Sequence, residues 1–113
     1  MAIDSIPREV PQFCSHVGRP SPGVATVTVS GELDMATVPQ LEDALSDAES
    51  VAERVVVIDL RGLDFIDLSG VRSIVSADRR VRRTDRELHV IAGPRAERLF
   101  ALAGLDGLSV LDA

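Results

Sequence analysis

The chain has 113 residues, which is the length of one domain, so a second hydrophobic core is not expected. Its 18 acidic and 12 basic residues give a formal net charge of −6, which argues against nucleic acid as the main partner. Every basic residue is an arginine, and aromatic residues make up only 3% of the chain, so a surface for stacking bases is not expected either.

The reactive residue types are sparse. The single cysteine, Cys14, excludes an internal disulfide and a zinc site built from several thiolates. His16 and His89 lie far apart and have no ligand spacing. No apolar run approaches the roughly 18 residues of a membrane span, and the first ten residues lack the pattern of a secretory signal. We therefore expect a cytoplasmic protein that does not insert into a membrane.

The first part of the chain predicts an irregular lead-in over residues 1–12 and a domain over residues 13–113. Phe13 to Val17 predicts a short edge strand, and the run of Gly and Pro from 18 to 23 predicts a turn. Val24 to Ser30 alternates strictly between apolar and polar residues, which predicts a strand that is buried on one face.

A helix is predicted to begin after Thr37. Thr37 is a candidate N-cap, Gln40 three positions later completes a capping box, and Pro39 is tolerated in the first turn. Apolar residues follow at helical spacing up to Ala48. The β-branched run from Val55 to Leu60 then predicts a central strand covered on both faces.

The last third of the chain continues the alternation. A helix is predicted to begin near Ser69, and Leu88 to Ile91 predicts another strand. A third helix is predicted around Ala96 to Ala103, closed by Gly104, and Ser109 to Leu111 predicts a last strand. This order predicts a mixed sheet with helical crossovers. The predicted core consists of Leu41, Leu45, Val56, Ile58, Ile74, Leu99 and Phe100.

Ser69 lies at the junction between the buried strand and the second helix, with two aspartates close by. A helix N-terminus offers unpaired amides and a positive partial charge, which favour an anion. Ser69 has two interpretations: a simple N-cap, with Asp67 as a second local acceptor, or an exposed serine that accepts a phosphoryl group. A catalytic serine is disfavoured because no histidine is placed nearby. A hydrolase or magnesium site made of Asp59, Asp64 and Asp67 is disfavoured because acidic loop residues are usually solvated.

Two further charged segments have a simple and a functional interpretation. Gly31 to Asp34 follows the first clear strand, either as a turn that ends it, with Asp34 as a local acceptor, or as an acidic loop that faces a basic partner. The arginines from Arg79 to Arg86 are interpreted as a solvated helix end, where cations complement the helix dipole.

Three segments, in this order and spacing, resemble the STAS-domain anti-sigma factor antagonists. They are Gly31 to Asp34 after a strand, Asp64 to Val71, and Arg98 to Leu105. The resemblance covers the chain from about Val24 to its end. It implies an α/β fold, a STAS-like mixed β-sheet with helices packed on one side, in which residues 13–113 form the STAS domain.

The resemblance also implies a binding switch and not an enzyme. Ser69 corresponds to the residue phosphorylated by an anti-sigma factor with serine-kinase activity. The unphosphorylated form binds that anti-sigma factor and releases its sigma factor, phosphorylation switches the binding off, and a protein phosphatase restores it. No cofactor is implied, because ATP belongs to the kinase. We expect the partner surface at one end of the sheet, formed by Glu32, Asp34, Thr37, Asp67, Leu68, Gly70 and Arg72.

Two positions depart from the family's pattern. Leu68 stands where a small residue, commonly serine, is frequent, and Arg72 stands where glycine is frequent. These departures leave a second hypothesis open, a constitutive STAS adaptor that is not phosphorylated, such as the STAS subunit of a lipid-transport ATPase. A small hydrolase is the third hypothesis.

Overall fold

The computed structural model describes residues 13–102 and 109–111, so the predicted lead-in over residues 1–12 and the predicted helix end at Gly104 lie outside the described residues. Strands and helices alternate after the first two strands, as predicted. The elements are β1 (Phe13–Ser21), β2 (Val24–Leu33), α1 (Val38–Val51), β3 (Val55–Ile66), α2 (Leu68–Arg82), β4 (Glu87–Ile91), α3 (Gly93–Leu102) and β5 (Ser109–Leu111).

The strands form one mixed sheet in the order β1-β2-β3-β4-β5, in which only β1 and β2 are antiparallel. Each later strand therefore lies on the same side of the one before it. Because crossovers between parallel strands are right-handed, all three helices come to lie on the same face of the sheet. This confirms the predicted α/β fold with helices on one side.

The core fills the space between that face and the helices. Val27, Ile58 and Val90 stand in register on three neighbouring strands and are fully buried. Of the predicted core, Leu99 is only partly buried against the cluster, and the other six residues are buried. On the opposite face Val55, Val57 and Asp59 are half-buried, so the prediction that both faces of β3 are covered was wrong.

The two central strands extend further than predicted. β2 runs on to Leu33 and β3 to Ile66, so Gly31 to Leu33 is strand and not a turn. The register between the two strands is irregular, and Gly31 has a φ of +95°. Both strands can therefore continue past the point where the strict alternation of apolar and polar residues ends. The edge strand β1 likewise runs through Pro20, which an edge position tolerates.

Two local predictions about the helices need correction. Thr37 occupies the N-cap position of α1, but its side chain makes no capping hydrogen bond, so the predicted capping box does not form. The arginines from Arg79 to Arg86 were predicted to be solvated, but not all of them are. Arg86 Nη1 donates to the carbonyl oxygens of Glu49 (2.6 Å) and Ala52 (3.0 Å), and thereby caps the end of α1.

Candidate functional site

The C-terminal ends of the parallel strands β2 and β3 lie side by side at one end of the sheet. Leu33 and Ile66 stand opposite each other in register, and the amide of Asp67 donates to the carbonyl oxygen of Leu33 at 3.1 Å. The segments that follow the two strands are therefore neighbours. We call residues 32–37 and 65–72 the Ser69 end; it contains every predicted site residue.

Ser69 is the second residue of α2 and is half-buried. Its Oγ donates to Oδ1 of Asp67 at 2.5 Å, and that oxygen also accepts from the amides of Ser69 (2.9 Å) and Gly70 (3.2 Å). Asp67 is therefore the N-cap, and the N-cap interpretation of Ser69 was wrong. Asp67 has an extended backbone just outside the helix, as capping requires, whereas Ser69 is already helical.

Because Asp67 caps α2, the Ser69 hydroxyl does not serve as the helix cap. Its proton is directed to the Asp67 carboxylate, and no group in the described part of the chain donates a hydrogen bond to its oxygen. The lone pairs of Oγ are thus open to an electrophile such as a phosphoryl group. His16 and His89 make no hydrogen bond to it; His89 lies beside Glu87 on β4.

The pKa of the Asp67 carboxyl is lowered. Partial burial acts to raise this pKa, but the hydrogen bonds from the Ser69 hydroxyl and from the amides of Gly70 and Ser69 outweigh it. A lowered folded-state pKa means that the carboxylate stabilises the fold above its unfolded pKa of about 3.9, and that this contribution is lost as the pH falls through the folded value.

We expect Asp67→Ala to lower the free energy of unfolding by about 1 kcal/mol at pH 7, the usual cost of losing an N-cap side chain. The loss should shrink as the pH falls below about 4, where wild type loses the charged cap as well. Urea melts of both proteins from pH 7 to pH 3 measure this difference. Asp67→Asn is the matched control, because an amide oxygen still caps and should preserve most of the stability. A difference that is independent of pH would contradict the assignment.

The loop before α1 is held by its own side chains. Asp34 Oδ1 accepts from the amides of Ala36 (2.9 Å) and Thr37 (3.2 Å), which confirms Asp34 as a local acceptor. The Thr37 hydroxyl donates to the Glu32 carbonyl at 2.8 Å and accepts from the Asp34 amide at 3.0 Å, and Thr37 is only 6% exposed. Asp34 and Thr37 therefore shape the loop, and Glu32, near the end of β2, is the exposed acidic side chain beside it.

Gly70 is buried where α2 approaches the sheet. A Cβ atom at this position would lie 2.7 Å from Cγ of Leu33 and 3.2 Å from Cγ1 of Ile66. The missing side chain lets the first turn of α2 pack against the ends of both strands. Gly70 thus sets the position of Ser69, while Leu68 and Arg72 on either side are exposed.

An exposed apolar rim surrounds this end, and sequence reasoning missed most of it. Met35 is 77% exposed, Phe65 49% and Leu68 48%, although large apolar side chains are usually buried. Phe65 stands opposite Glu32 in register and turns outward, because Leu63 and Ile66 on the irregular end of β3 are the buried residues. An apolar residue inside a polar loop was the available signal for Met35.

Two of the three carboxylates considered for a hydrolase or magnesium site have structural partners. The described residues contain no group of three His, Cys, Asp or Glu side chains that could hold a metal ion. Asp59, one of the predicted carboxylates, is paired with Arg61 at 2.8 Å, and Asp67 caps α2.

Within the described ranges, no helix is both long enough and apolar enough to cross a membrane.

Comparison with known proteins gives a consistent result. A family model described as "Mlab, STAS domain" matches residues 18–112. The anti-sigma-B factor antagonist of Staphylococcus aureus is 32% identical over 83 residues, which is 73% of this chain and 77% of that protein.

Solved structures show the same fold. An anti-sigma factor antagonist from Mycobacterium paratuberculosis superimposes with a TM-score of 0.80 at 28% identity, covering 89% of this chain and 86% of that one. The Bacillus protein SpoIIAA shares the fold in its unphosphorylated form (TM-score 0.74, 22% identity, 88% of each chain) and in its phosphorylated form (0.70, 20%, 88% and 91%). The family model matches residues 18–112 of this chain, and the staphylococcal antagonist is 32% identical to it over 73% of its length. Together with the shared fold, these matches show that the chain belongs to the STAS domain family.

Proposed function

We propose that this chain, an anti-sigma factor antagonist by homology, is a binding switch controlled by phosphorylation of Ser69. The unphosphorylated form binds an anti-sigma factor with serine-kinase activity, and the sigma factor is released. Phosphorylation of Ser69 ends the binding, and a protein phosphatase restores it. The observation that carries this proposal is the Ser69 hydroxyl, half-exposed and open at its oxygen, inside a rim of exposed apolar side chains.

The Ser69 end has the composition of a protein-binding surface. Exposed apolar side chains grouped at one place mark a site that another protein covers. Met35, Phe65 and Leu68 supply that apolar contact, and Glu32 and Arg72 supply charges at its edge. Asp34, Thr37, Asp67 and Gly70 act from below the surface by fixing the loop and the first turn of α2.

The chain itself performs no chemistry in this proposal. ATP and the catalytic groups belong to the kinase, so the chain needs no cofactor, and we place its action in the cytoplasm, where sigma factors work. The Asp67 carboxylate holds the Ser69 proton within hydrogen-bond distance, which orients the hydroxyl for transfer.

Incubation with the cognate anti-sigma factor and ATP tests the switch. We expect intact mass spectrometry to show one added phosphate on the wild-type protein and none on Ser69→Ala. A phosphate that appears equally on both proteins would exclude Ser69 as the acceptor.

We expect Glu32→Lys to weaken anti-sigma factor binding by about fivefold, because a rim charge pair contributes on the order of 1 kcal/mol. The Glu32 side chain makes no hydrogen bond within the described part of the molecule, so the melting temperature should not change. Titration calorimetry and a thermal melt measure both. Asp34→Lys is the contrasting variant, since it removes the loop cap and should lower the melting temperature as well. Unchanged affinity for Glu32→Lys would remove Glu32 from the contact surface.

A constitutive STAS adaptor is the second candidate function, and the exposure of Leu68 favours it. An apolar residue next to the serine suits a permanent apolar contact better than a contact that is repeatedly broken. The two functions differ in one measurement: an adaptor binds its partner with the same affinity before and after treatment with kinase and ATP.

A further inference from the structure

The outward face of α2 carries a stripe of arginines, formed by Arg72, Arg79 and Arg83, the last being the C-cap residue. At 3.6 residues per turn, these three positions fall within about 40° of one another, and they span about 16 Å along the axis. All three are exposed, on the side opposite the buried residues Ile74, Ala77 and Val81. We call these residues the arginine stripe.

Among the described residues, the side chains of the arginine stripe have no partner, which they share with Arg19 on β1 and Arg98 on α3 but not with five other arginines. Arg61 is paired with Asp59, Arg80 with Glu49, and Arg82 with Asp78, each at 2.8 Å. Arg54 and Arg86 donate to backbone carbonyls. Within residues 13–102 and 109–111, the side chains of Arg72, Arg79 and Arg83 make no hydrogen bond or ion pair.

Electrostatics inside the chain does not account for this arrangement. The helix dipole favours cations in the last turn, which explains Arg79 and Arg83 but not Arg72, near the other end of α2. Like charges on one helix face repel each other. The neighbouring helix α1 contains acidic residues and no basic ones. Its Glu49 pairs with Arg80 and its Glu42 accepts from Ser73, while Asp43 and Asp47 line the opposite side, towards β1.

We propose that the arginine stripe docks an acidic surface of the same anti-sigma factor that binds the Ser69 end. The inference rests on the proposed function for the identity of the partner. The stripe begins three residues after Ser69, so a partner seated there extends naturally along α2. Carboxylates spaced over about 16 Å are the complement of three unpaired guanidinium groups, which bind carboxylates in a fork geometry.

A protein surface fits this stripe better than nucleic acid or an anionic membrane does. The stripe is one side chain wide, and the exposed Glu42 carboxylate of α1, on the side that contacts α2, repels a polyanion. The net charge of −6 adds to that repulsion at long range. A partner that presents a limited acidic patch contacts the stripe and avoids α1.

The first test compares association rates with the purified anti-sigma factor at 50 mM and 500 mM NaCl. We expect Arg79→Gln/Arg83→Gln to slow association about fivefold to tenfold at low salt and less than twofold at high salt, because steering by charge is screened by salt. Arg19→Gln/Arg98→Gln is the matched control: it removes the same charge from exposed positions outside the stripe and should change the rate less than twofold. Equal effects of the two double variants would overturn the proposal.

A second test does not depend on the partner's identity. We expect titration with deca-glutamate to shift the Nε–Hε NMR signals of Arg72, Arg79 and Arg83, and 500 mM NaCl to reverse the shifts. Absence of these shifts, or stronger binding of duplex DNA or of phosphatidylglycerol vesicles to the stripe, would overturn it. If wild type shows these shifts but binds no anti-sigma factor, the proposed function fails while the acidic specificity of the stripe stands.

Discussion

Phosphorylation of Ser69 is expected to lower the affinity for the anti-sigma factor by on the order of a hundredfold or more. A phosphate adds about −1.5 to −2 charges at neutral pH. Against a partner carboxylate about 6 Å away, two charges cost roughly 3–6 kcal/mol at an effective dielectric of about 40–20. Because each 1.4 kcal/mol is about tenfold in affinity, the repulsion is enough to break the complex.

The local geometry adds to this effect. A phosphorylated Oγ no longer donates to Asp67, and the phosphate oxygens compete with that carboxylate for the amides of Ser69 and Gly70. Arg72 lies one turn along α2 and is exposed, so its guanidinium group can donate hydrogen bonds to the phosphate. That pairing takes one guanidinium away from the arginine stripe, which weakens contact with an acidic partner further.

Affinities measured side by side for the phosphorylated and unphosphorylated proteins decide the matter. Ser69→Ala should bind the partner and resist phosphorylation, whereas Ser69→Asp should fold normally and bind poorly. Ser46→Asp adds the same charge at an exposed position on α1 and serves as the control, with affinity near wild type. Equal affinities of the two phosphorylation states would eliminate the switch and favour the constitutive adaptor.

Truncation of Ile58 to alanine is expected to cost roughly 2–5 kcal/mol of unfolding free energy, as for other buried aliphatic side chains. Ile58 has no exposed surface and stands between Val27 and Val90 on the adjacent strands. The cavity left there is flanked by one strand on each side and covered by the helices, so neighbouring side chains have little freedom to fill it. Total stability is commonly about 5–15 kcal/mol, so this loss is a large fraction.

Urea denaturation measures the loss as a lower midpoint at an unchanged slope. Val57→Ala is the matched control, because Val57 directly precedes Ile58 on β3 but is half-buried on the opposite face of the sheet. Its loss should be clearly smaller. Equal losses for the two variants would show that the helices do not cover the face on which Ile58 lies.

The sequence by itself determined the order of strands and helices, the one-sided burial of β2 and the position of Ser69 at a helix start. These features depend on local causes. Alternation of apolar residues from Val24 to Ser30 requires only the two-residue period of a strand, and Pro39 marks a helix start through its own backbone. The segment 64–71 was also recognisable, because its resemblance to a family lies in adjacent residues.

The tertiary structure alone decided how far the central strands run and what surrounds the serine. Gly31 to Leu33 becomes strand because β3 supplies hydrogen-bond partners more than thirty residues away, and no local pattern encodes that pairing. The same irregular pairing turns Phe65 outward beside Glu32 and so creates the apolar rim. Arg86 caps α1 from 37 residues away, because the fold brings carbonyl groups of α1 to its guanidinium. Within the described residues the fold brings no acceptor to the side chains of Arg72, Arg79 and Arg83, which remain unpaired.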